Sequence, residues 1–295
     1  MADYKFVIGT VSSCDLTKEY LDEHEIELLC YPYSQGGEDC FDDCDQEKQN
    51  AVYKRMRAGE VVNTSMINEY SYEEFFTRLM ETGKDVIFMD MCKPLSSSFA
   101  NAIEAGNKVN EKFKDAPNRL YVMDTLCVSG GLGLLVHGVR KLRDEGKTMD
   151  EAIEWAEANK LSIIHWFTVD DLKWLQRTGR VSNAAAMVGQ LLSIKPVLYT
   201  DTEGRLMVCT KVRGRKKALL TILENMKKDF VNPDGAEVLI NHADCIEDAE
   251  FMKQKVLENF PTIKDIQIMN LSTIVGAHCG PGLFTIFYFG DKRYK

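Results

Sequence analysis

Short apolar runs alternate with helical patterns along the first half of the chain, and this alternation constrains the fold more than any other feature. Lys5–Val11, Asp85–Met91 and Arg119–Asp124 read as strands, and helical patterns such as Ser98–Phe113 stand between them. Strands that alternate with helices are typical of a parallel sheet with helices on both faces. We therefore predict an α/β fold whose N-terminal domain, residues 1–160, is a parallel α/β sandwich.

The rest of the chain follows a different pattern, which predicts a second domain over residues 161–295. Pro196–Thr200 and Arg205–Lys211 flank Asp201–Gly204, which has the composition of a hairpin turn. Helical segments such as Ile246–Asn259 lie among further strands. A hairpin with interleaved helices indicates an α+β domain with a mixed or antiparallel sheet. Two domains also suit the length, because 295 residues exceed one compact core of ordinary size.

Charge and cysteine content exclude several classes of protein. The net charge is −9, from 36 basic and 45 acidic residues, which argues against non-specific binding to nucleic acid or to an anionic membrane. The nine cysteines are scattered, with no C-x-x-C pair, so we expect reduced thiols rather than a disulfide scaffold or a zinc ribbon. Cys40-x-x-x-Cys44 is a weak alternative as a metal site, since no histidine stands near it. We predict no metal and no cofactor.

The N-terminus and the hydropathy of the chain predict a cytoplasmic protein. Residues 1–5 contain no basic segment followed by an apolar one, so we see no signal peptide. No apolar stretch approaches the ~18 residues of a membrane span. We therefore expect no integral membrane segment.

Small hydroxyl residues follow three of the predicted strands, at Ser12–Ser13, Thr64–Ser65 and Ser96–Ser98. Ligands of open parallel sheets bind at the carboxyl ends of strands, and neutral hydroxyl donors suit one carboxylate or phosphate. The third group also begins a helix, whose free N–H groups and dipole favour an anion. The alternative is that Ser96 or Ser98 only caps that helix, although one turn can serve both purposes.

His278 stands in a glycine-rich segment, Gly276–Gly282. Glycine allows close backbone approach, so we predict that the imidazole donates a hydrogen bond, or a charge when protonated, to the same carboxylate. A satisfied structural histidine is the alternative, and the other four histidines are interpreted as structural. Cys279 follows directly, which raises the hypothesis of an enzyme with His278 or Cys279 as a covalent phosphoryl or acyl acceptor. Neighbours on an extended segment point in different directions, so we predict no catalytic residue.

Ser129–Gly133 is a further cluster of small residues. It lacks the lysine of a phosphate loop and the G-x-G-x-x-G spacing of a dinucleotide site. We interpret it as a helix that packs closely against a sheet, with contact to a ligand chain as the alternative.

Two basic islands, Leu172–Arg180 and Lys211–Lys217, stand out in this acidic chain. Such runs are usually solvated faces. Here arginines next to glycines suit a phosphate or an acidic partner surface, which leaves open a pure interaction module that docks a partner through this region.

The long motifs of the second half resemble those of the DegV family. Residues 170–182 read DDLKWLQRTGRVS, which is similar to the family signature D-D-L-x-x-L-x-x-x-G-R-[IV]-S. Leu191–Pro196, Lys211–Gly214 and Gly276–Gly282 also resemble the family pattern. Shorter matches in the first half are Asp15-Leu16, Thr64-Ser65 and Leu95–Ser98. The resemblance covers essentially the whole chain.

This resemblance implies a long-chain fatty acid held between the two domains. The carboxylate would lie at Thr64, Ser96 and His278, together with the adjoining Ser97 and Ser98. The acyl chain would set the affinity, because burial contributes about 0.8 kcal/mol per CH₂. Apolar residues of 184–194 are candidates to line the chain, among them Met187 and Leu191.

Members of the DegV family also serve as the binding subunit of a bacterial fatty acid kinase and present the carboxylate to a separate kinase subunit. The resemblance then implies that Arg180 and Arg213 lie on the face that meets the kinase or near the phosphoryl group. Four positions depart from the family pattern. Val11 replaces an acidic residue, Ser97 and Ser98 replace a glycine and a threonine, and Cys92 replaces a serine.

Overall fold

The computed structural model of the chain describes residues 4–181 and 193–295. Residues 184–192, whose sequence pattern predicts a helix, lie outside the described residues, and so do Met187 and Leu191. The strands are β1 (Phe6–Val11), β2 (Ile26–Leu29), β3 (Tyr31–Gln35), β4 (Glu38–Asp42), β5 (Val62–Thr64), β6 (Asp85–Asp90), β7 (Leu120–Asp124), β8 (Ile163–Thr168), β9 (Ile194–Thr200), β10 (Leu206–Arg213), β11 (Glu237–His242), β12 (Asp265–Asn270) and β13 (Phe284–Phe289). The helices are α1 (Lys18–Glu23), α2 (Gln46–Arg57), α3 (Glu69–Met80), α4 (Ser98–Lys112), α5 (Gly130–Asp144), α6 (Met149–Asn159), α7 (Leu172–Thr178), α8 (Arg215–Asp229), α9 (Ile246–Asn259) and α10 (Thr273–Cys279).

The first sheet is parallel, with the strand order β2-β1-β6-β7. Ile8 of β1 lies opposite Ile26 on one side and Ile87 on the other. The two central strands are buried along nearly their whole length, which is why they read as continuous apolar runs rather than alternating ones. The predicted N-terminal α/β sandwich is confirmed.

A small antiparallel sheet, with the order β4-β3-β5, stands beside the first one. The polar, Gly- and Asp-rich composition of Gln35–Asp45 predicts a loop, and this prediction is wrong because the segment contains strand β4. Gly36 and Gly37 have positive φ angles and close the hairpin between β3 and β4. Strand β4 begins with two exposed acidic residues, Glu38 and Asp39. Its sequence therefore lacks the alternation of apolar and polar residues that is typical of a half-buried strand.

The second sheet is mixed, with the order β10-β9-β8-β13-β11-β12. Its neighbouring strands are antiparallel except for β11 and β12, which are parallel. This sheet confirms the mixed sheet expected in the second half. The sequence reasoning missed the buried strand β8, which lies between β9 and β13 near the middle of the sheet.

The two faces of the second sheet have different neighbours. Ile164 and Trp166 face a core shared with helices α8 and α9. Phe167 and Phe287 face the opposite way and belong to the same apolar core as Ile8 of the first sheet. The two halves of the molecule therefore meet through a continuous apolar interface rather than through a polar cleft. The boundary predicted at residue 160 falls just before β8.

Helix α5 passes through this interface at its N-terminal end. A Cβ atom at Gly130 or Gly131 would overlap the rings of Phe287 and His165 on the second sheet. A Cβ at Gly133 would lie 2.6 Å from the carbonyl oxygen of Cys14 on the first-domain side. The small residues thus let the helix approach closely, as the sequence indicated.

Within the described residues, no helix combines the length and the apolar character that crossing a bilayer requires.

Candidate functional site

A cavity lies where the carboxyl ends of the first sheet meet the inner face of the second. Together with the open solvent at its mouth, the cavity comprises about 980 Å³ that no protein atom fills. Its wall is largely apolar and comes from both domains, with Met91, Leu95, Phe167, Leu206, Leu283 and Phe287 among the described residues. An elongated apolar molecule with a polar end is the kind of ligand that such a wall suits.

The hydroxyl residues and the histidine singled out in the sequence meet at this cavity. Thr64, Ser96 and His278 all line it, as do Ser97 and Ser98. The Oγ1 atom of Thr64 lies 3.1 Å from Nε2 of His278, although the two residues are 214 positions apart in the sequence. We call Thr64, Ser96 and His278 the polar clasp. The structure thus brings all five predicted head-group residues to one cavity.

The start of helix α4 supplies the serine part of this group. The Ser96 hydroxyl accepts a hydrogen bond from the backbone N–H of Ser98 over 3.2 Å, so it does act as a local cap. The Ser98 hydroxyl accepts one from the N–H of Ile67 at the same distance. Ser97 makes no capping bond with its side chain. Capping and exposure to the cavity therefore coexist, as the sequence reasoning allowed.

His278 lies on helix α10 and not on the extended segment that the glycines had suggested. Gly276 is inside the helix, where its missing side chain leaves room for the ring of Tyr53. The Tyr53 hydroxyl donates to the carbonyl of Leu271 over 2.7 Å and thereby anchors the start of the helix. Gly280 and Gly282, with φ of +78° and +91°, lead the chain out of it.

A buried carboxylate also fixes the start of α10. Asp15 accepts from the backbone N–H of Ser272 over 2.9 Å and from the hydroxyl of Ser129. Burial raises the pKa of Asp15 to about 7, although these hydrogen bonds oppose the shift. The bonds tie α10 to the loops that follow β1 and β7, so they position the helix that carries His278.

The imidazole of His278 is neutral near pH 7. Burial, followed by the nearby positive charges of Arg180 and Arg177, lowers its pKa to about 4. The Nδ1 atom has no hydrogen-bond partner among the described residues. Because the pKa in the unfolded chain is about 6.5, the unfolded state binds more protons between pH 6.5 and 4. The contribution of His278 to the stability of the free protein therefore falls as the pH drops through this window.

The arginines of the basic islands have different surroundings. Arg180 is exposed, lines the cavity and donates to the carbonyl of Thr178 over 2.6 Å. Arg213 is exposed at the end of β10 and is not among the described cavity-lining residues. Arg215 is engaged elsewhere, since its Nε donates to Asp248 over 2.8 Å. Among these three, Arg180 is the one whose charge acts directly on the cavity.

Cys279 has the wrong environment for a nucleophile. Complete burial raises the pKa of its thiol to about 12, and the charge of Asp15 adds to the effect. The reactive form of a cysteine is the thiolate, which is scarce at neutral pH under these conditions. His278 is hydrogen-bonded to Thr64 rather than to this cysteine. These observations weigh against the covalent-acceptor hypothesis for Cys279.

Tyr31 and His165 are among the cavity-lining residues that sequence reasoning missed. Tyr31 contributes its hydroxyl, which lies 3.2 Å from Oγ of Ser96. His165 had been interpreted as structural, but it lines the inner part of the cavity from strand β8. Ser12 and Ser13, which had been candidates, are buried in a short turn and are absent from the described lining.

Comparisons with known proteins agree with this architecture. The family model of the uncharacterised DegV family matches residues 5–291. A DegV domain-containing protein of Clostridium perfringens is 35% identical over 290 residues, which cover 98% of this chain and 99% of that protein.

Two solved structures have a similar fold. One, reported as fatty acid binding of a DegV family protein from Thermus thermophilus, has a TM-score of 0.86 at 22% identity and covers 97% of this chain and 100% of that one. The other, a stearic acid-binding protein from Eubacterium ventriosum, has a TM-score of 0.84 at 24% identity and covers 97% and 98%. Since the family model and the Clostridium relative span nearly its full length, this chain belongs to the DegV family.

Proposed function

We propose that this protein binds one long-chain fatty acid, with its acyl chain in the cavity and its carboxylate at the polar clasp. The observation that carries the proposal is the combination of a largely apolar wall with the hydroxyl and imidazole groups of the polar clasp. The solved relatives from Thermus thermophilus and Eubacterium ventriosum, which bind a fatty acid and stearic acid, support the same ligand class.

The energetics assign different roles to the two ends of the ligand. A sixteen-carbon chain offers about 12 kcal/mol on burial, from which association and ordering subtract at least ~4 kcal/mol. A buried carboxylate without partners would remove much of the remainder. The hydroxyls of Thr64 and Ser96, the imidazole of His278 and the N-terminal end of α4 satisfy the carboxylate, while Arg180 supplies positive charge nearby.

We also propose that the protein is a carrier that presents the carboxylate to a separate kinase subunit. The clasp includes Thr64 and Ser96, which are only partly buried, and the exposed Arg180 also lines the cavity. Arg213 would then belong to the docking face. A catalytic hydroxyl–histidine pair needs a third group that orients the base, and among the described residues Nδ1 of His278 has none. This favours binding over catalysis at the site.

Identification of the ligand that co-purifies with the protein tests the binding proposal. We expect protein purified without denaturation from a bacterial host to carry one fatty acid per chain, visible by native mass spectrometry and identified after denaturing extraction. A protein that is empty and also rejects added hexadecanoic and octadecanoic acids would contradict the proposal.

Fatty-acid binding should be coupled to proton uptake by His278. The pKa of the free imidazole is about 4, and a carboxylate placed beside it favours the protonated form, so binding raises this pKa. Since the complex then holds more protons than the free protein, affinity should rise as the pH falls from 8 towards 6. Calorimetry in two buffers of different ionisation enthalpy at pH 6 measures the uptake.

A His278→Gln variant is the control for this pH effect, because it keeps a polar side chain that does not titrate. We expect the variant to lose most of the proton uptake. Equal uptake in both proteins would assign the protons to another group, such as the buried Asp15, whose pKa is raised to about 7.

A further inference from the structure

Helix α10, which carries His278, belongs to the second half of the sequence but begins against the first domain. The hydroxyl of Tyr53 on α2 donates to the carbonyl of Ser272 over 3.0 Å, as well as to that of Leu271. The N–H groups in the first turn of a helix have no partner inside the helix. The acceptors that these N–H groups find outside it therefore decide how firmly the start of α10 is held.

Two buried carboxylates of the first domain accept hydrogen bonds from this start. Oδ1 of Asp15, which follows β1, accepts from the N–H of Ser272 over 2.9 Å. Oδ2 of Asp42, at the end of β4, accepts from the N–H of Ile274 over 3.4 Å. Only 1% of Asp15 and 3% of Asp42 is exposed, so water does not compete for these N–H groups.

The two carboxylates differ in what their second oxygen contacts. Oδ1 of Asp42 accepts from Nε2 of Gln49 over 3.2 Å and from the N–H of Cys44 over 3.4 Å. Both oxygens of Asp42 therefore face N–H donors, and a proton on either oxygen would lack an acceptor among the described residues. Oδ2 of Asp15 faces the hydroxyl of Ser129, which can accept as well as donate. Asp42 thus has to be ionised to keep its hydrogen bonds, whereas Asp15 does not.

The acidities of the two groups agree with this difference. Burial raises the pKa of Asp42 to about 6, although its three hydrogen bonds oppose the shift, and the charge of Asp43 adds to it. Burial raises the pKa of Asp15 to about 7, and the nearby charge of Asp42 adds to that rise. Of the two, Asp15 therefore takes up a proton first as the pH falls. An ionised Asp42 is also a favourable partner for the positive end of the helix.

The position of α10 decides whether the polar clasp forms. The clasp contains one hydrogen bond between the two halves of the chain, over 3.1 Å between Oγ1 of Thr64 and Nε2 of His278. Helix α10 has only seven residues, and His278 follows Ile274 by about one turn. Because a helix this short moves as one unit, a shift at its start displaces the imidazole from Thr64.

We propose that Asp42, together with Asp15, positions the polar clasp by holding the start of α10 on the first domain, and that only Asp42 has to be ionised for this. This inference rests on the fatty-acid binding proposed above. It adds two positioning residues that act on the ligand through His278, since neither is among the described residues of the cavity wall.

The test measures dissociation constants for octadecanoic acid on delipidated full-length protein at pH 8. Asp42→Asn should bind the acid roughly threefold to tenfold more weakly, because the amide turns its NH₂ group towards an N–H donor. Asp15→Asn should stay within about twofold of the wild type, since its oxygen can accept from Ser272 and its NH₂ can donate to Ser129. Asp15→Ala keeps neither bond and should lose about as much affinity as Asp42→Asn.

A double-mutant cycle separates positioning from a general loss of structure. In a His278→Leu background, Asp42→Asn should change the affinity by less than about twofold, because the group that Asp42 positions is gone. Gln49→Met is the matched control, since it removes the neighbour of Asp42 on α2 and leaves the bond to Ile274. This control should bind octadecanoic acid as the wild-type protein does.

Wild-type affinity of a folded Asp42→Asn protein would overturn the inference, and so would an equal loss with and without His278 or an equal loss in Gln49→Met. Should Asp42→Asn not fold, the two Asp15 variants decide, because equal affinities of Asp15→Ala and Asp15→Asn would exclude positioning through the start of α10. A wild-type protein that does not bind octadecanoic acid would contradict the fatty-acid proposal itself, and this failure is distinct from the others.

Discussion

A His278→Leu variant should bind octadecanoic acid roughly tenfold to a hundredfold more weakly than the wild-type protein. Hydrogen bonds to charged groups contribute about 1.5–3 kcal/mol each, and leucine removes the bond from the imidazole to the carboxylate. It also leaves the hydroxyl of Thr64 without its 3.1 Å partner. A fluorescence titration of delipidated protein measures the change. A Thr64→Val variant should show a smaller loss in the same direction.

His24 offers the matched control for this prediction. It lies at the end of α1, where its ring packs on Tyr20 with centroids 4.5 Å apart, and it does not line the cavity. His24→Leu should leave the affinity unchanged. A folded His278→Leu protein with wild-type affinity, or an equal loss in the two variants, would remove His278 from the head-group site.

A Gly131→Ala variant should lose about 2–3 kcal/mol of folding free energy. The new Cβ would overlap the His165 ring, where Cε1 would lie 2.6 Å away. This ring is buried between α5 and the second sheet and cannot move aside without opening the contact between the two domains. Denaturant unfolding followed by circular dichroism measures the loss.

Gly106→Ala is the control, because it also replaces a glycine within a helix and gains about 1 kcal/mol of helix propensity. Its Cβ would come within 2.9 Å of one methyl group of Val122, while the Leu120 side chain would lie at an ordinary contact distance of 3.8 Å. We expect its stability to stay within about 1 kcal/mol of the wild type. Similar stability of Gly131→Ala and Gly106→Ala would mean that α5 does not pack tightly on the second sheet.

The parallel sheet was predictable because buried parallel strands form continuous apolar runs. Asp85–Met91, for example, matches β6 to within one residue. Strand β8 was missed although Ile163–Thr168 is largely apolar, since only Lys160–Ser162 separate it from α6, without a glycine or proline to mark a turn, and since it contains a histidine. Strand β4 was missed because its exposed acidic residues have the composition of a loop.

The site was predictable where side chains follow strands and unpredictable where tertiary structure decides the orientation. Thr64 and Ser96 were identified because ligands bind at the ends of strands. The helix that carries His278 was missed, since Gly276 suggested a loop, whereas the close approach of Tyr53 is what requires a glycine there. The role of His165 depends on which face of β8 it occupies, and that became visible only once the strand was known.

A crystal structure of the protein loaded with octadecanoic acid tests the central claim most directly. The account predicts the carboxylate within hydrogen-bonding distance of Thr64, Ser96 and His278, and the acyl chain along the inner face of the second sheet past Phe167 and Leu206. A carboxylate bound elsewhere, or a cavity closed by protein side chains with the fatty acid outside it, would contradict the account.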